Sequence, residues 1–319
     1  MMKVFNGIDT VRESFDYLVV TIGNFDGVHI GHQKIFRKVN EARGRRGTSM
    51  VITFNPHPVK VLAPERKLKL LTPLEEKLKL IEKTGIDAVL IIDFDREFSR
   101  VEPEDFIKGI LVDKLKVKHV IVGHNYRFGK EKRGTTELLR RRGRRYGFKL
   151  TVVRNTKLGG HVVSSSRIRQ LLAWGRVCEA SSLLGRPYSI HGRVIRGAGR
   201  GARVLSTPTA NITTPNEIVP KEGVYAVRVE LEGNHYDGVA NIGTNPTFDG
   251  TQMSYEVHLF DVNQNLLGKE LRVYFIDRIR GEKRFSSVEQ LKTQIKKDIE
   301  VARAILKERP ALYRILKNS

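Results

Sequence analysis

The chain has 319 residues, of which 40% are hydrophobic and 29% are charged, and its formal net charge is +22. These proportions are typical of a folded globular protein and exclude a disordered one, while the length favours two domains, because single cores stop growing at about 250–300 residues. The single cysteine, Cys178, excludes a disulfide framework and a four-cysteine zinc site, and no apolar run is long enough to span a bilayer. We therefore expect a cytoplasmic protein, whose positive charge suits either nucleic acid or small phosphate-bearing substrates.

The first half of the sequence alternates strand-like and helix-like segments. Its strand candidates are apolar runs rich in Val, Ile and Leu at residues 17–22, 49–54, 88–94, 119–123 and 148–153. Continuous apolar runs of this length predict strands that are buried on both faces of a parallel sheet. Helices between them are predicted to start near Ile30, at a capping box over 72–75 and at Pro103, which indicates a doubly wound α/β sheet.

An arginine-rich stretch lies at residues 130–150, with nine Lys or Arg against two Glu. Base-stacking surfaces need aromatic residues between the cations, and none alternates with these arginines. The stretch therefore predicts a solvated helix face.

After residue 185 the pattern changes to short runs with a period of two. These runs are residues 189–195, 224–231, 235–242, 254–259 and 270–276, separated by turns rich in Gly, Pro and Asn. They predict a compact antiparallel β-barrel with hairpin turns at 232–234 and 263–265, followed by a helix that starts at a capping box over 286–289. We place the domain boundary so that residues 1–184 form the α/β domain and residues 185–319 the barrel domain.

Two histidines follow the first predicted strand, in the segment Gly-Asn-Phe-Asp-Gly-Val-His-Ile-Gly-His-Gln at 23–33. In an open α/β sheet, anionic ligands bind where the carboxyl end of a strand meets a helix N-terminus. Glycines let the backbone approach a phosphate, and His29 and His32 share one face of the helix, so that both can donate to the same oxygens. The segment predicts a nucleotide-binding loop.

Three more segments lie at the predicted carboxyl ends of strands: Thr-Phe-Asn-Pro-His-Pro at 53–58, Gly-His-Asn-Tyr-Arg-Phe-Gly at 123–129 and Ser-Ser-Ser-Arg-Ile-Arg at 164–169. The two prolines predict a rigid wall rather than a helix. The second segment sets two aromatic rings beside an amide and a cation, and the third opens a helix with hydroxyl caps and arginines. Together they predict a site for a flat aromatic ligand that carries phosphate.

With these segments the chain resembles the family of bifunctional bacterial riboflavin kinase/FMN adenylyltransferases (FAD synthetases), from about residue 21 to the final helix. In the second half the resemblance rests on 185–188, Pro-Thr-Ala-Asn-Ile at 208–212, Ala-Asn-Ile-Gly-Thr-Asn-Pro-Thr-Phe at 240–248 and Tyr-Glu-Val-His-Leu-Phe-Asp at 255–261. It implies a nucleotidyltransferase-like (Rossmann-like) domain that transfers AMP from ATP to FMN, giving FAD and pyrophosphate. The barrel domain would phosphorylate riboflavin with ATP.

In the first domain, catalysis would consist of alignment and charge stabilisation, because the phosphate nucleophile of FMN is already anionic. Asn125 would orient the reacting phosphates, and Arg167 would steady the leaving pyrophosphate. The resemblance implies ATP contacts from Gly23, Asn24, His29, His32, Ser165 and Arg167. It implies flavin contacts from Pro56, Pro58, Tyr126 and Phe128.

In the second domain the nucleophile is an alcohol, which profits from a general base, and the resemblance assigns this role to Glu256. Thr209 and Asn211 stand two apart on an extended segment, so they share one face and would hold Mg²⁺ with the ATP phosphates. Gly199 and Arg203, in the glycine-rich segment 197–203, would cover those phosphates.

Two alternatives stay open from the sequence. The family usually has Gly-Phe where this chain has Ser206-Thr207, so the second domain could bind flavin without catalysis beside an active FMN adenylyltransferase. A basic nucleic-acid-binding protein is the other alternative, and only the charge supports it. The preferred interpretation gives Mg²⁺ as cofactor, ATP, riboflavin and FMN as ligands and FAD as product. It expects no nucleic-acid or membrane partner and a monomer or weak homo-oligomer.

Overall fold

The computed structural model of the protein describes residues 1–196, 209–247 and 250–308. It divides into two compact units, Met1–Ser164 and Ser165–Ser319. The first unit contains a six-stranded sheet and the second a closed barrel. The predicted succession of an α/β part and a β-barrel part is thereby confirmed.

The sheet of the first unit is parallel throughout. Its strands are β1 (Lys3–Asn6), β2 (Leu18–Ile22), β3 (Thr48–Asn55), β4 (Ala88–Asp93), β5 (His119–Gly123) and β8 (Lys149–Val153). They lie in the order β1-β4-β3-β2-β5-β8, and all neighbours are parallel. The apolar runs predict five of these strands, whereas β1 is a short edge strand with mostly exposed side chains and carries no such run.

Helices cover both faces of the sheet. On one face, α1 (Ile30–Arg43) and α3 (Leu74–Glu82) bury Phe36 and Ile81 against it. On the other face lie α4, which begins as one α-turn (Pro103–Asp105) and continues as a π-helix (Phe106–Lys114), and α5 (Thr136–Tyr146). These two helices contribute Phe106 and Leu139 to the core. The predicted doubly wound architecture is confirmed.

Short elements connect these layers. They are α2 (Pro58–Leu62), the ribbons β6 (Arg127–Phe128) with β7 (Gly134–Thr135) and β9 (Lys157–Leu158) with β10 (His161–Val162), and the 3₁₀ turns Ile8–Thr10, Pro64–Arg66, Phe98–Arg100 and Lys130–Lys132.

The strand order reverses between β2 and β5. The chain runs from β2 outward through β3 and β4, crosses to β5 on the other side of β2, and continues to β8. At such a switch point the loops leaving the two strands diverge to opposite faces, and a crevice opens between them at the carboxyl ends. The histidine loop follows β2 and the loop with Asn125 follows β5, so the topology places both at this crevice.

The predicted capping box of α3 is wrong. The Thr72 hydroxyl accepts a hydrogen bond from the Gly27 N–H at 3.2 Å, and Pro73 occupies the N-cap without a side-chain hydrogen bond. The threonine is therefore used to hold the loop after β2 rather than to start the helix. The five arginines at 140–145 lie on α5, and all except the partly buried Arg142 are exposed, as the charges of the arginine-rich stretch predict.

The second unit is built on a closed antiparallel barrel. Its strands are β11 (Tyr188–Ile195), β12 (Ala210–Thr213), β13 (Gly223–Leu231), β14 (Asn234–Thr247), β15 (Gly250–Leu259) and β16 (Glu270–Arg280), in the order β11-β12-β15-β14-β13-β16. Glu232 and Gly233 both have positive φ, as a two-residue hairpin turn requires, and link β13 to β14 as predicted. The hairpin predicted at 263–265 is wrong: these residues, which the structure describes, join β15 to β16, and the two strands are not neighbours in the barrel.

Helices accompany the barrel within the second unit. A long helix, α8 (Val288–Glu308), packs on β13, β14 and β16, and buried Asp298 accepts hydrogen bonds from Arg280 of β16 at 2.8–3.1 Å. The cap of α8 lies one residue later than predicted, because the Ser287 hydroxyl accepts from the Gln290 N–H. Among the described residues, no helix is both long and apolar enough to cross a membrane.

The compact units divide at residue 164, whereas the sequence places the domain boundary after residue 184. The difference comes from α6 (Ser165–Ala173) and α7 (Val177–Leu184), which contact each other and belong to the second unit. There α7 packs on β11 and β16, and the Tyr188 N–H of β11 donates to the Ser181 hydroxyl of α7 at 3.2 Å. A division of the chain by activity at 184 and 185 stays a prediction.

Candidate active sites

The loop after β2 has a strained backbone that is stabilised by burial. Phe25, Gly27 and Val28 have φ angles of 50°, 83° and 40°, a region that residues other than glycine rarely adopt. Phe25 and Val28 are buried in the core beneath α1, and this burial offsets the strain. The carboxylate of Asp26 accepts hydrogen bonds from two successive backbone N–H groups just before α3, at 3.0 and 3.2 Å. The loop is therefore fixed at several points.

Gly23 and Asn24 form the exit from β2. The Gly23 N–H donates to the Ile52 carbonyl of β3 at 3.0 Å, and a Cβ atom on Gly23 would lie 2.9 Å from the Phe25 ring. Glycine is thus required here by a close approach. The Asn24 carbonyl accepts a hydrogen bond from the Thr53 hydroxyl at 3.3 Å, which ties the loop to the end of β3.

His29 and His32 lie together, as their spacing predicts. Their ring centroids are 3.5 Å apart and their planes differ by 18°. His29 is the N-cap of α1, and its Nδ1 accepts from the His32 N–H at 3.3 Å. Since Nδ1 is the acceptor, the tautomer assigned to the neutral ring carries its proton on Nε2, which is then a donor. Two stacked imidazoles at a helix N-terminus are well suited to hydrogen-bond phosphate oxygens.

The His29 ring packs against the backbone of Gly31. A Cβ atom on Gly31 would lie 3.1 Å from both Cε1 and Nδ1 of His29, and the ring is held between this backbone and His32. We expect Gly31→Ala to tilt the imidazole and to lower kcat/KM for nucleotidyl transfer about tenfold, the effect of misplacing one donor. Thermal unfolding should change little, because alanine favours the helix.

A matched control for that variant is Gly109→Ala, because an added Cβ at this helical glycine would have no described atom within 4 Å beyond its chain neighbours and the backbone of its own helix. Steady-state kinetics and thermal unfolding of both variants check the prediction. Equal activities in the two variants would contradict it.

The loop after β5 places Asn125 at an exposed turn. The Tyr126 N–H donates to the Gly123 carbonyl at 3.1 Å and closes this turn. A Cβ atom on Gly123 would lie 3.7 Å from Ile35 of α1, so the end of β5 lies beside the helix that has His29 as its N-cap. The structure therefore brings Asn125 to the same edge of the sheet as the histidine pair.

The predicted aromatic flavin contacts lie mostly in the core. Phe128 is 7% exposed, and its ring centroid lies 5.5 Å from those of both Phe106 and Tyr126. The Tyr126 hydroxyl is buried and has no hydrogen-bond partner among the described residues, and burial raises the pKa of this hydroxyl. The Tyr126 ring is only partly buried, so it has surface to offer a flavin, whereas Phe128 has little.

The prolines after β3 do not exclude a helix, contrary to the prediction. Pro58 is the first residue of α2, a position where the missing N–H costs nothing, and the His57 side chain accepts from the Val59 N–H at 3.2 Å. The Asn55–Pro56 peptide bond is cis. Pro56 and Pro58 stand at the carboxyl end of β3, next to β2 in the sheet.

Ser165 and Arg167 belong to α6 of the second unit. Ser165 is the first residue of this helix. The guanidinium of Arg167 lies 5.5 Å from the centre of the Trp174 ring, and its Nη1 donates to the Gln170 side chain at 2.6 Å. Their action on ATP at the histidine loop stays a prediction.

In the barrel, strand register brings Asn211 and Glu256 side by side. Asn211 of β12 pairs with Glu256 of β15, which pairs on its other side with Asn241 of β14. Directly opposite residues share a face, with Cβ atoms about 4.5–5.5 Å apart. Of the residues that flank these three along their strands, all except the partly buried Tyr255 are buried, so the side chains of Asn211, Glu256 and Asn241 point outward from the barrel. Thr209 lies two residues before Asn211, directly ahead of β12.

The chemistry of this row suits a phosphoryl transfer. The Ser254 hydroxyl donates to Oε1 of Glu256 at 3.3 Å, which orients the carboxylate and leaves Oε2 to accept a proton. Hydroxyl and amide oxygens such as those of Thr209 and Asn211 are hard ligands of the type that Mg²⁺ takes together with phosphates. The predicted phosphate cover with Gly199 and Arg203, and the Ser206-Thr207 departure, lie outside the described residues.

Three residues at these sites were not identified from the sequence. Lys77 is buried and donates to the Asn24 carbonyl, although a lysine on an amphipathic helix normally indicates a surface position. The Thr156 hydroxyl is buried without a partner among the described residues, 3.8 Å from where a Cβ on Gly31 would lie. Asn241 stands beside Glu256, and only its place in the segment 240–248 could have pointed to it.

Comparison with known proteins matches both units. The FAD synthetase family model covers residues 12–167, and the riboflavin kinase model covers residues 184–306. The bifunctional riboflavin kinase/FMN adenylyltransferase of Escherichia coli (strain K12) is 41% identical over 305 residues, which are 95% of this chain and 97% of the relative. The corresponding protein of Haemophilus influenzae is 37% identical over 95% of this chain and 99% of its own.

A crystal structure from Streptococcus pneumoniae, named a macrolide-efflux protein, shares the fold. It is 33% identical, with a TM-score of 0.87, over 95% of this chain and 99% of its own. Both family models and the full-length relatives agree in the order of the two parts. The chain therefore belongs to the family of bifunctional riboflavin kinase/FMN adenylyltransferases, with an FAD synthetase part followed by a riboflavin kinase part.

Proposed function

We propose that the chain makes FAD from riboflavin in two ATP-dependent steps, with residues 1–184 and 185–319 as the catalytic domains. As a member of its family it is a bifunctional enzyme, a riboflavin kinase and an FMN adenylyltransferase. The observation that carries the assignment of the adenylylation site is the stacked His29–His32 pair at the N-terminus of α1, at the switch point of the sheet. The proposed kinase site is supported by the row of Asn211, Glu256 and Asn241 across the barrel.

In adenylyl transfer, a phosphate oxygen of FMN attacks the α-phosphorus of ATP. A new P–O bond forms there, the bond to the bridging oxygen breaks, and pyrophosphate leaves. His29 donates from Nε2, His32 and Asn24 complete the contacts to the phosphates, and Gly23 lets the backbone come close to them. No proton has to be removed from the nucleophile, so these groups act by alignment and by stabilising charge.

Other residues complete this proposed site. Asn125 orients the reacting phosphates, while Ser165 and Arg167 bind the departing pyrophosphate. This assignment is supported by the FAD synthetase match, whose range ends at Arg167 and includes Ser165. Pro56, Pro58 and the ring of Tyr126 form the flavin side, with Phe128 as support beneath Tyr126.

In riboflavin phosphorylation, the 5′-hydroxyl attacks the γ-phosphorus of ATP. Glu256 accepts the hydroxyl proton as the O–P bond forms and ADP leaves. Ser254 keeps the carboxylate in orientation, and Asn241 lies on its other side. Thr209 and Asn211 are the residues that would hold Mg²⁺, which when bound neutralises the charge of the ATP phosphates.

The substrates and the charge of the chain support a proposal for its partners and its location. ATP, riboflavin and FMN are its ligands, and the net charge of +22 suits these phosphate anions without a nucleic-acid or membrane partner. We propose a cytoplasmic enzyme that acts as a monomer or weak homo-oligomer.

One assay tests the whole proposal. The purified chain is incubated with riboflavin, ATP and Mg²⁺, and riboflavin, FMN and FAD are separated over time. FMN should appear first and FAD later, and excess EDTA should stop both steps. A parallel reaction receives FMN instead of riboflavin. If FMN is converted to FAD but riboflavin is not converted, only the adenylyltransferase activity is supported. If neither product forms, the assignment is refuted.

A further inference from the structure

A lysine is buried beneath the loop that follows β2. Lys77 belongs to α3 and is 8% exposed, whereas Glu75 and Lys79 of the same helix are exposed. Its Nζ donates to the Asn24 carbonyl at 3.4 Å and to the Thr53 hydroxyl at 3.1 Å. Lysine is almost never fully buried unless it is paired, so this position calls for a function.

The charged group that faces Lys77 is Asp26, in the same loop and itself 5% exposed. Burial lowers the pKa of Lys77 to about 8, and the Asp26 carboxylate opposes this shift. The groups that Nζ contacts from the loop and from β3, the Asn24 carbonyl and the Thr53 hydroxyl, are uncharged. A buried positive charge thus accompanies a buried negative charge at a loop that receives polyphosphate.

We propose that Lys77 is a positioning residue for adenylyl transfer, which fixes the Asn24 carbonyl and cancels the negative charge of Asp26 beneath the ATP phosphates. Without the ammonium, the Asp26 carboxylate repels the ATP anion through a medium of low dielectric constant. Among the described residues, the Asn24 carbonyl accepts from Thr53 and Lys77, and the substitution removes the second of these hydrogen bonds. The role rests on the proposed adenylylation site at this loop.

Substitution on α3 tests this role against a matched control. Lys77→Met should raise KM for ATP in FMN adenylylation about tenfold or more, the contribution of about one hydrogen bond to a charged group. Riboflavin phosphorylation by the same molecules should keep its wild-type rate. Lys79→Met makes the same change at an exposed position of the same helix and should alter neither activity.

A wild-type KM for ATP in Lys77→Met overturns the role of the lysine, provided that His32→Ala is impaired in the same assay. Absence of adenylylation from the wild-type chain overturns the proposed function instead. The two failures are therefore distinguishable.

The pH profile separates the charge of Lys77 from its packing. Because the protonated amine is the active form, kcat/KM for ATP should fall as pH rises through about 8. At saturating ATP, kcat should fall only at higher pH, since bound polyphosphate favours the protonated amine. Lys77→Arg stays charged and should lack this fall, with the kinase activity of the same sample as the background. If the pH profiles of kcat/KM for ATP are identical in the wild type and in Lys77→Arg, the proposal is overturned. This test does not need a folded Lys77→Met protein.

Discussion

Glu256→Gln is expected to lower riboflavin phosphorylation by about 10²–10⁴-fold, the usual contribution of a general base. The amide keeps the size of the side chain and its place between Asn211 and Asn241 but cannot accept the proton of the 5′-hydroxyl. The adenylylation of supplied FMN should proceed at the wild-type rate, because Glu256 belongs to the barrel. The measurement is the rate of each step by separation of the flavins.

Glu270→Gln provides the control for this variant. Glu270 is an exposed strand carboxylate at the start of β16, opposite Arg193, and it should be replaceable without effect on either step. Kinase turnover in Glu256→Gln within a few-fold of Glu270→Gln would contradict the general-base assignment.

His32→Ala is expected to have the second-largest effect, a loss of about 10²–10³-fold in FMN adenylylation, comparable to removing one donor from a charge-stabilising site. The substitution also removes the ring that stacks on His29 at 3.5 Å, so both donors are affected. Phosphorylation of riboflavin should be spared. Separate assays with riboflavin and with FMN as substrate give the two rates.

His161→Ala is a suitable control, since His161 is an exposed histidine of β10 in the same unit. It should leave both steps unchanged. If a folded His32→Ala protein lost both activities equally, the assignment of the histidine pair to adenylyl transfer would fail.

Much of the fold could be predicted from the sequence. A strand that is buried on both faces of a sheet has a continuous run of apolar residues, which is easily recognised. Strands β2 to β5 are continuous apolar runs, and the barrel strands show a period of two. The edge strand β1 and the short β12 lack such runs, since an edge strand keeps solvent contact and β12 has only four residues. The π-helical stretch Phe106–Lys114 carries apolar residues like any helix, so its hydrogen-bond pattern is not readable from them.

The site could be predicted where local chemistry decides the geometry. The pair of His29 and His32 follows from the helical spacing after a strand and glycines. Lys77 and Asp26 could not be placed, because their contacts join segments that are distant in sequence. The same reason explains the wrong prediction for Thr72, whose hydroxyl accepts a hydrogen bond from the loop after β2 instead of capping α3.

Residues that point outward from the barrel strands and residues that point inward have different roles. On β15, Glu256 points outward, while the next residue, Val257, is 1% exposed and fills the interior. The side chains that form the core of the barrel are therefore different from those proposed to take part in the reaction, although both sets belong to the same strand. During evolution, such a strand can exchange its outward residues for new substrate preferences while selection for folding acts on the inward ones. Substitutions on the outward face of β15 can therefore accumulate without disturbing the packing of the barrel interior.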